Sequence, residues 1–174
     1  AARMTLLGSA IRKNDYEQVI KICEPGIEAT PDALEFYFYL AIAYNQAERW
    51  DDVLEVSRKA LEHVTPESEK QMVSDFYTII GDVYHTKKLM KEAYAAYDSA
   101  LVYNPSNIGA LNNYAYYLSV ERRDLDKAEE MSYKTVKAAP NNATYLDTYG
   151  RINILSSTQI PFHVRRILYL SDDC

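Results

Sequence analysis

Four prolines set the frame for everything else in this chain. Pro31, Pro66, Pro105 and Pro140 are spaced by 35, 39 and 35 residues, each following one amphipathic stretch and preceding another. Proline fixes φ and lacks an amide donor, so at such places it punctuates helices rather than continuing them. A near-regular period of this length is the mark of an architecture in which one supersecondary unit recurs and neighbouring copies stack. Only 5 glycines occur in 174 residues, and no alternating β-branched runs between Gly-rich turns precede residue 150. The expected fold class is therefore all-α.

Self-alignment sharpens the period. The clearest unit is "SDFYTIIGDVYHTKKLMKEAYAAYDSALVYNPSN", Ser74 to Asn107, in which Tyr77, Ile80, Gly81 and Tyr84 share the spacing of a first helix. Ala93, Tyr97 and Ala100 fall on a second helix, and Pro105 closes the unit. One unit earlier, Tyr37, Leu40, Ala41 and Tyr44 take the first-helix positions and Val53, Ser57 and Ala60 the second-helix ones. One unit later these are Leu111, Tyr114, Ala115 and Leu118, then Ala128, Ser132 and Thr135, with one extra residue in the turn "SVERRDLDK". In the first unit Met4, Leu7, Gly8 and Ile11 fit, but Pro25 and Gly26 interrupt the second helix and predict a kink or an early stop.

This pattern of large, small and closing residues resembles the tetratricopeptide repeat. The resemblance implies a right-handed α-α superhelix, a solenoid of stacked helix-turn-helix hairpins. Its approximate units are 1–33, 34–73, 74–107 and 108–142, with a partial fifth from 143. Gly81, Ala41 and Ala115 would sit where the two helices of a hairpin approach most closely, and the tyrosines would fill the space around them. Each helix pair buries only one face alone, so three or more must stack.

Two places depart from the pattern. Between Thr65 and Ser74 the polar stretch "PESEKQMV" adds about six residues, and Pro66 suits a first helical position. A first helix from near Pro66 to Thr86, roughly two turns longer than its siblings, is expected. At the other end "ATYLDTYG" opens a fifth unit, similar to a "YLDT" sequence common in bacterial members of the family, with Leu146, Tyr149 and Gly150 in register. Arg151 then stands at a Trp position, Pro161 lies where a second helix would run, and β-branched content rises. The array is thus bounded at 1–150. For 151–174 three readings compete: a cap carried by "FHVRRILYL", a truncated or frame-shifted repeat, or a linker.

Composition bounds the function. At 48% hydrophobic and 25% charged, the chain is long enough for one well-buried domain. A net charge of -6 and a pI near 5.1 argue against nucleic acid, which needs a concentrated basic surface. No apolar run reaches the roughly 18 residues of a membrane span, and no signal-peptide pattern opens the chain. "AARMTLL" lacks an initiating methionine, as in a processed product or an excised fragment, and the compartment stays open. Cys23 and Cys174 form neither a disulfide framework nor a metal-ligand spacing, and Cys23 reads as buried and inert. His63, His85 and His163 are isolated in sequence. No Gly-rich phosphate loop, nucleophile elbow or zinc motif appears, so neither an enzyme nor a cofactor is expected. "NAT" at Asn142 matches a glycosylation acceptor but reads as a polar helix start.

What remains is surface. In the family resembled, first helices line a concave groove in which peptides commonly lie. The matching positions are Glu35, Phe38, Ile42 and Asn45; Asp75, Thr78, Asp82 and His85; Asn112, Tyr116 and Ser119; and Asp147 with Arg151. This face is acidic, with Phe38, Ile42 and Tyr116 as apolar anchors. A subset of the family clamps a partner's carboxyl terminus with lysines, asparagines and an arginine, but here those positions hold Thr5, Ser9, Tyr39, Asp75 and Ile79. The resemblance therefore implies a protein-protein interaction scaffold for a basic or amphipathic peptide or protein segment, without metal or catalysis, and an uncapped end able to pair with a second copy. The alternative is a regulatory or assembly segment of a larger signalling or envelope protein whose activity lies in other domains.

Overall fold

The computed structural model describes residues 2–159. Among the described residues there are nine helices and no strand: α1 (Ala2–Arg12), α2 (Tyr16–Ala29), α3 (Leu34–Gln46), α4 (Trp50–Glu62), α5 (Lys70–Thr86), α6 (Met90–Tyr103), α7 (Ile108–Val120), α8 (Leu125–Ala138) and α9 (Ala143–Gln159). The chain divides into two compact units, Ala1–Asn107 and Ile108–Cys174, where length alone suggested one domain. In a repeat chain each hairpin packs only on its neighbours, so no single core need span it.

The hairpins share one turn. Asn14, Glu48, Lys88 and Arg122 all have left-handed φ, from 52 to 62°. After each of them, the next amide reaches back five residues: Asp15 to the Ala10 carbonyl, Arg49 to Tyr44, Leu89 to Tyr84 and Arg123 to Leu118, at 2.9 to 3.0 Å. This cap satisfies carbonyls that the ending helix leaves open. The extra residue of the fourth hairpin is accommodated by a second left-handed residue, Asp124.

A second device joins each hairpin to the next. The amides of Ala33, Ser68, Asn107 and Asn142 bond to the carbonyls of Thr30, Thr65, Asn104 and Ala139, closing four-residue turns with proline second. Proline's fixed φ is preorganised for that position. Pro66 therefore plays the part of Pro31, Pro105 and Pro140, not that of a first helical residue. The Thr65 amide also donates to Ser68 Oγ at 2.9 Å, and α5 starts only at Lys70. The extension exists, but 17 residues against 13 in α3 and α7 is about one turn, not two.

Packing follows the small residues. Ala41, Ala60, Ala93, Ala100, Ala115 and Ala128 are completely buried. A Cβ on Gly81 would lie 2.8 Å from the Tyr97 ring, so glycine is what lets α5 and α6 close. Gly26 is held likewise by Phe36, at 2.8 Å. This contact corrects the expected interruption of the second helix. α2 runs through Pro25 to Ala29, because its opposite face buries Val19, Ile22, Cys23 and Gly26 while Pro25 faces solvent. Tertiary burial outweighs the roughly 3 kcal/mol that proline costs a helix interior.

α9 differs from its siblings. α3, α5 and α7 end five residues beyond Ala41, Gly81 and Ala115, whereas α9 continues to Gln159, nine beyond Gly150. Nothing in "RINILSSTQ" breaks a helix before Pro161. The segment carrying the cap, truncation or linker alternatives, 160–174, lies outside the described residues. Asn142 Oδ1 accepts the Tyr145 amide at 3.2 Å, the helix-start role read for that acceptor motif.

Candidate functional site

Glu35, Phe38, Ile42 and Asn45 recur along one stripe of α3, and Asp75, Thr78, Asp82 and His85 along one stripe of α5. The two helices meet through an edge-to-face contact between Phe38 and Phe76, with ring centroids 5.8 Å apart. Glu35 is exposed, Ile42 and Asn45 are half-buried, and Ile42 and Tyr39 line a small cavity with Ile11, Asn14, Tyr16 and Val19. Phe38 is half-buried and engaged with Phe76 and Tyr39, so its ring is only partly available as an anchor.

The α5 carboxylates are oriented by the protein itself. Asp75 accepts from Gln71 Nε2 at 2.7 Å and from Asn107 Nδ2 at 2.8 Å. Asn107 is 5% exposed and also donates to Ser74 Oγ, whose hydroxyl donates to the Ala100 carbonyl. Asp82 accepts from the hydroxyl of the fully buried Tyr97. Thr78 is almost buried and its hydroxyl returns to the Ser74 carbonyl, so it offers little to a ligand. His85 is half-buried.

The second unit holds the remaining positions. Asn112 is 6% exposed, its amide lies 3.3 Å from Asn113 Oδ1, and its oxygen meets no donor among the described residues. Tyr116 is half-buried beneath the Arg151 guanidinium, 5.6 Å from the ring centroid. Ser119 is buried and bonds the Tyr116 carbonyl, while Asp147 is exposed.

Sequence reasoning missed an acidic cavity of about 260 Å³ in the first unit. Glu24 and Glu28 of α2 face Asp52, Glu55 and Lys59 of α4 across a floor of Ile27, Tyr37, Leu40, Tyr44 and Val56. At 100° per residue Tyr37, Leu40 and Tyr44 lie on the side of α3 away from Glu35, Phe38, Ile42 and Asn45. Lys59 pairs with Glu55 at 2.6 Å and Arg49 with Asp52 at 2.6 Å. The Tyr44 hydroxyl donates to Glu24 at 2.8 Å. Burial, then that hydrogen bond, pushes Tyr44 up to about 12. The i, i+4 glutamates of α2 and the i, i+3 acids of α4 were readable in sequence, but not their meeting.

Cys23 is fully buried, and burial foremost, then Glu24, pushes its thiol up to about 12. Among the described residues no group of three or more His, Cys, Asp or Glu side chains is arranged to hold a metal ion. No described helix is long and apolar enough to cross a membrane.

No family model matches the sequence, and no curated protein is significantly similar to it. Solved structures are similar at the level of fold. MamA superposes with a TM-score of 0.68 at 18% identity, over 90% of this chain and 81% of its own. YrrB, described as a TPR protein with an unusual peptide-binding site, gives 0.65 at 16%, over 90% and 77%. The chain has the tetratricopeptide-repeat fold. PilF of Pseudomonas aeruginosa shares it, with a TM-score of 0.72 at 16% identity, over 90% of this chain and 68% of its own. At these identities the likeness carries the tetratricopeptide fold and no binding residue.

Proposed function

We propose that this chain is a non-enzymatic protein-interaction scaffold whose first-helix face binds a basic or amphipathic peptide segment. The observation that carries the reading is the pair of stripes on α3 and α5. Glu35, Asp75 and Asp82 accompany Ile42 and the Phe38 edge on two helices in mutual contact. Carboxylates held by Gln71, Asn107 and Tyr97 are preorganised acceptors, and preorganisation lowers the entropy lost on binding. The overall charge of -6 favours encounter with a basic segment and disfavours an acidic one. YrrB's reported peptide-binding site is compatible with the same use of the fold. On the second unit Asn112, Tyr116 and Asp147 are the corresponding candidates, of which Asp147 is the exposed one.

Selection of random peptides against the chain tests this, followed by fluorescence anisotropy of the selected sequences at low and high salt. Lysine- and arginine-rich peptides are expected, with affinity falling on the order of tenfold in the triple variant Glu35→Gln, Asp75→Asn, Asp82→Asn. These isosteres keep hydrogen-bonding oxygens, so the fold is spared. Selection of acidic peptides, or binding indifferent to both salt and the triple variant, would sink the proposal.

A further inference from the structure

α9 buries Thr148 and Ile152 on one side. Its opposite side carries Leu146, 48% exposed, and Ile154, 67% exposed, which line an open groove with Asp147, Gly150, Arg151 and Leu155. In the three hairpins before it, the small residue of the first helix, Ala41, Gly81 or Ala115, is buried, and at Gly81 it is the Tyr97 ring of the following helix that covers it. A Cβ built on Gly150 meets nothing within 4 Å. Among the described residues, α9 is thus a first helix without its second.

We infer that this face is covered by α9 of a second copy, in an antiparallel two-fold pair crossing at Gly150. The spacing Leu146-x-x-x-Gly150-x-x-x-Ile154 is symmetric about Gly150, with one aliphatic residue four places to either side. Leu146 and Ile154 each lie four residues, about 6 Å, from Gly150 along the helix, so a two-fold axis there sets Leu146 against Ile154 of the partner twice. Asp147 and Arg151 stand on the same side of that axis and within about 3 Å of each other's height in the pair, forming two symmetric ion pairs. Asp147 engages no side chain among the described residues, and Arg151 caps only the Tyr116 ring. Gly150 at the crossing lets the backbones approach as Gly81 lets α5 and α6 approach. The surface is self-complementary, as a two-fold interface requires.

Sedimentation velocity of the full chain from micromolar to submillimolar concentration should show a species of twice the 20.0 kDa chain mass. Gly150→Leu has open space in the single chain, so circular dichroism should keep its helix content while dimer affinity falls on the order of tenfold or more. Asp147→Arg alone and Arg151→Asp alone should each weaken the dimer, and the double swap should restore it. A monomer at all concentrations, whether because 160–174 or nothing covers α9, overturns the inference, as does a dimer indifferent to Gly150→Leu or a swap without rescue. The triple variant of the α3 and α5 face leaves this equilibrium unchanged, so the two proposals fail separately.

Discussion

Two glycines at the same register of two first helices should respond to the same substitution with opposite sign. At Gly81 an added methyl would stand 2.8 Å from the Tyr97 ring, well inside the roughly 3.5 to 4.0 Å of a relaxed carbon contact. The ring cannot swing away, because Tyr97 is completely buried and its hydroxyl is fixed on Asp82. Overpacking of this kind costs about 1 to 3 kcal/mol, and the better helix propensity of alanine returns about 1. Gly81→Ala should therefore lose about 1 kcal/mol, lowering Tm by roughly 2 to 4 °C in a chain of this size. At Gly150 there is no such neighbour, so Gly150→Ala keeps only the propensity gain and should raise Tm by a similar amount. Calorimetry or far-ultraviolet melting of the two variants at low protein concentration reads the difference. If both move in the same direction, close approach at Gly81 is not what selects glycine there, and the packing account of the α5–α6 hairpin is wrong.

Further outcomes follow from single residues. Ser57 is completely buried and its hydroxyl has no hydrogen-bond partner among the described residues, so Ser57→Ala should raise the urea midpoint, by about 1 kcal/mol in stability, and a loss would reveal a partner. Pro25→Ala should stabilise α2 by about 1 to 2 kcal/mol in the same assay, whereas destabilisation would mean that the helix needs its proline. Tyr44 titrates near 12 in the fold against an ordinary 10, so its neutral form is favoured by folding. That contribution is intact below pH 10 and lost as pH rises towards 12, so over that window the melting temperature should fall more steeply for the wild type than for Tyr44→Phe. Equal slopes would show that the hydroxyl does not couple to folding.

The hairpins were legible because large and small residues recur at helical spacing and because a proline marks each junction between one hairpin and the next. Gly81, Ala41 and Ala115 were placed at the helix contacts from that spacing together with the resemblance to the tetratricopeptide repeat. Local rules misled where burial overrode them: Pro25 looked like a stop, but nothing in its own neighbourhood announces that Phe36 will pack on Gly26. Pro66 was misassigned because a proline suits both a first helical turn and the second place of a tight turn, and only the Ser68 to Thr65 bond distinguishes them. The candidate face was legible as a stripe of residue types. That Asp75 and Asp82 are held by Asn107 and Tyr97 depends on contacts 32 and 15 residues apart in sequence, which no periodicity encodes. The Glu24 and Asp52 cavity escaped for the same reason, since three helices must meet to make it.

The left-handed residues at the four hairpin turns are asparagine, glutamate, lysine and arginine, with an aspartate added at the fourth, and never glycine. Side chains in that conformation carry about 1 kcal/mol of strain, which the cap bonds and the stacked helices absorb. Each turn therefore asks of its sequence only that the residue not be branched at Cβ. Mutational drift at these tips is nearly free, so their charge can be rewritten without disturbing the helices beneath.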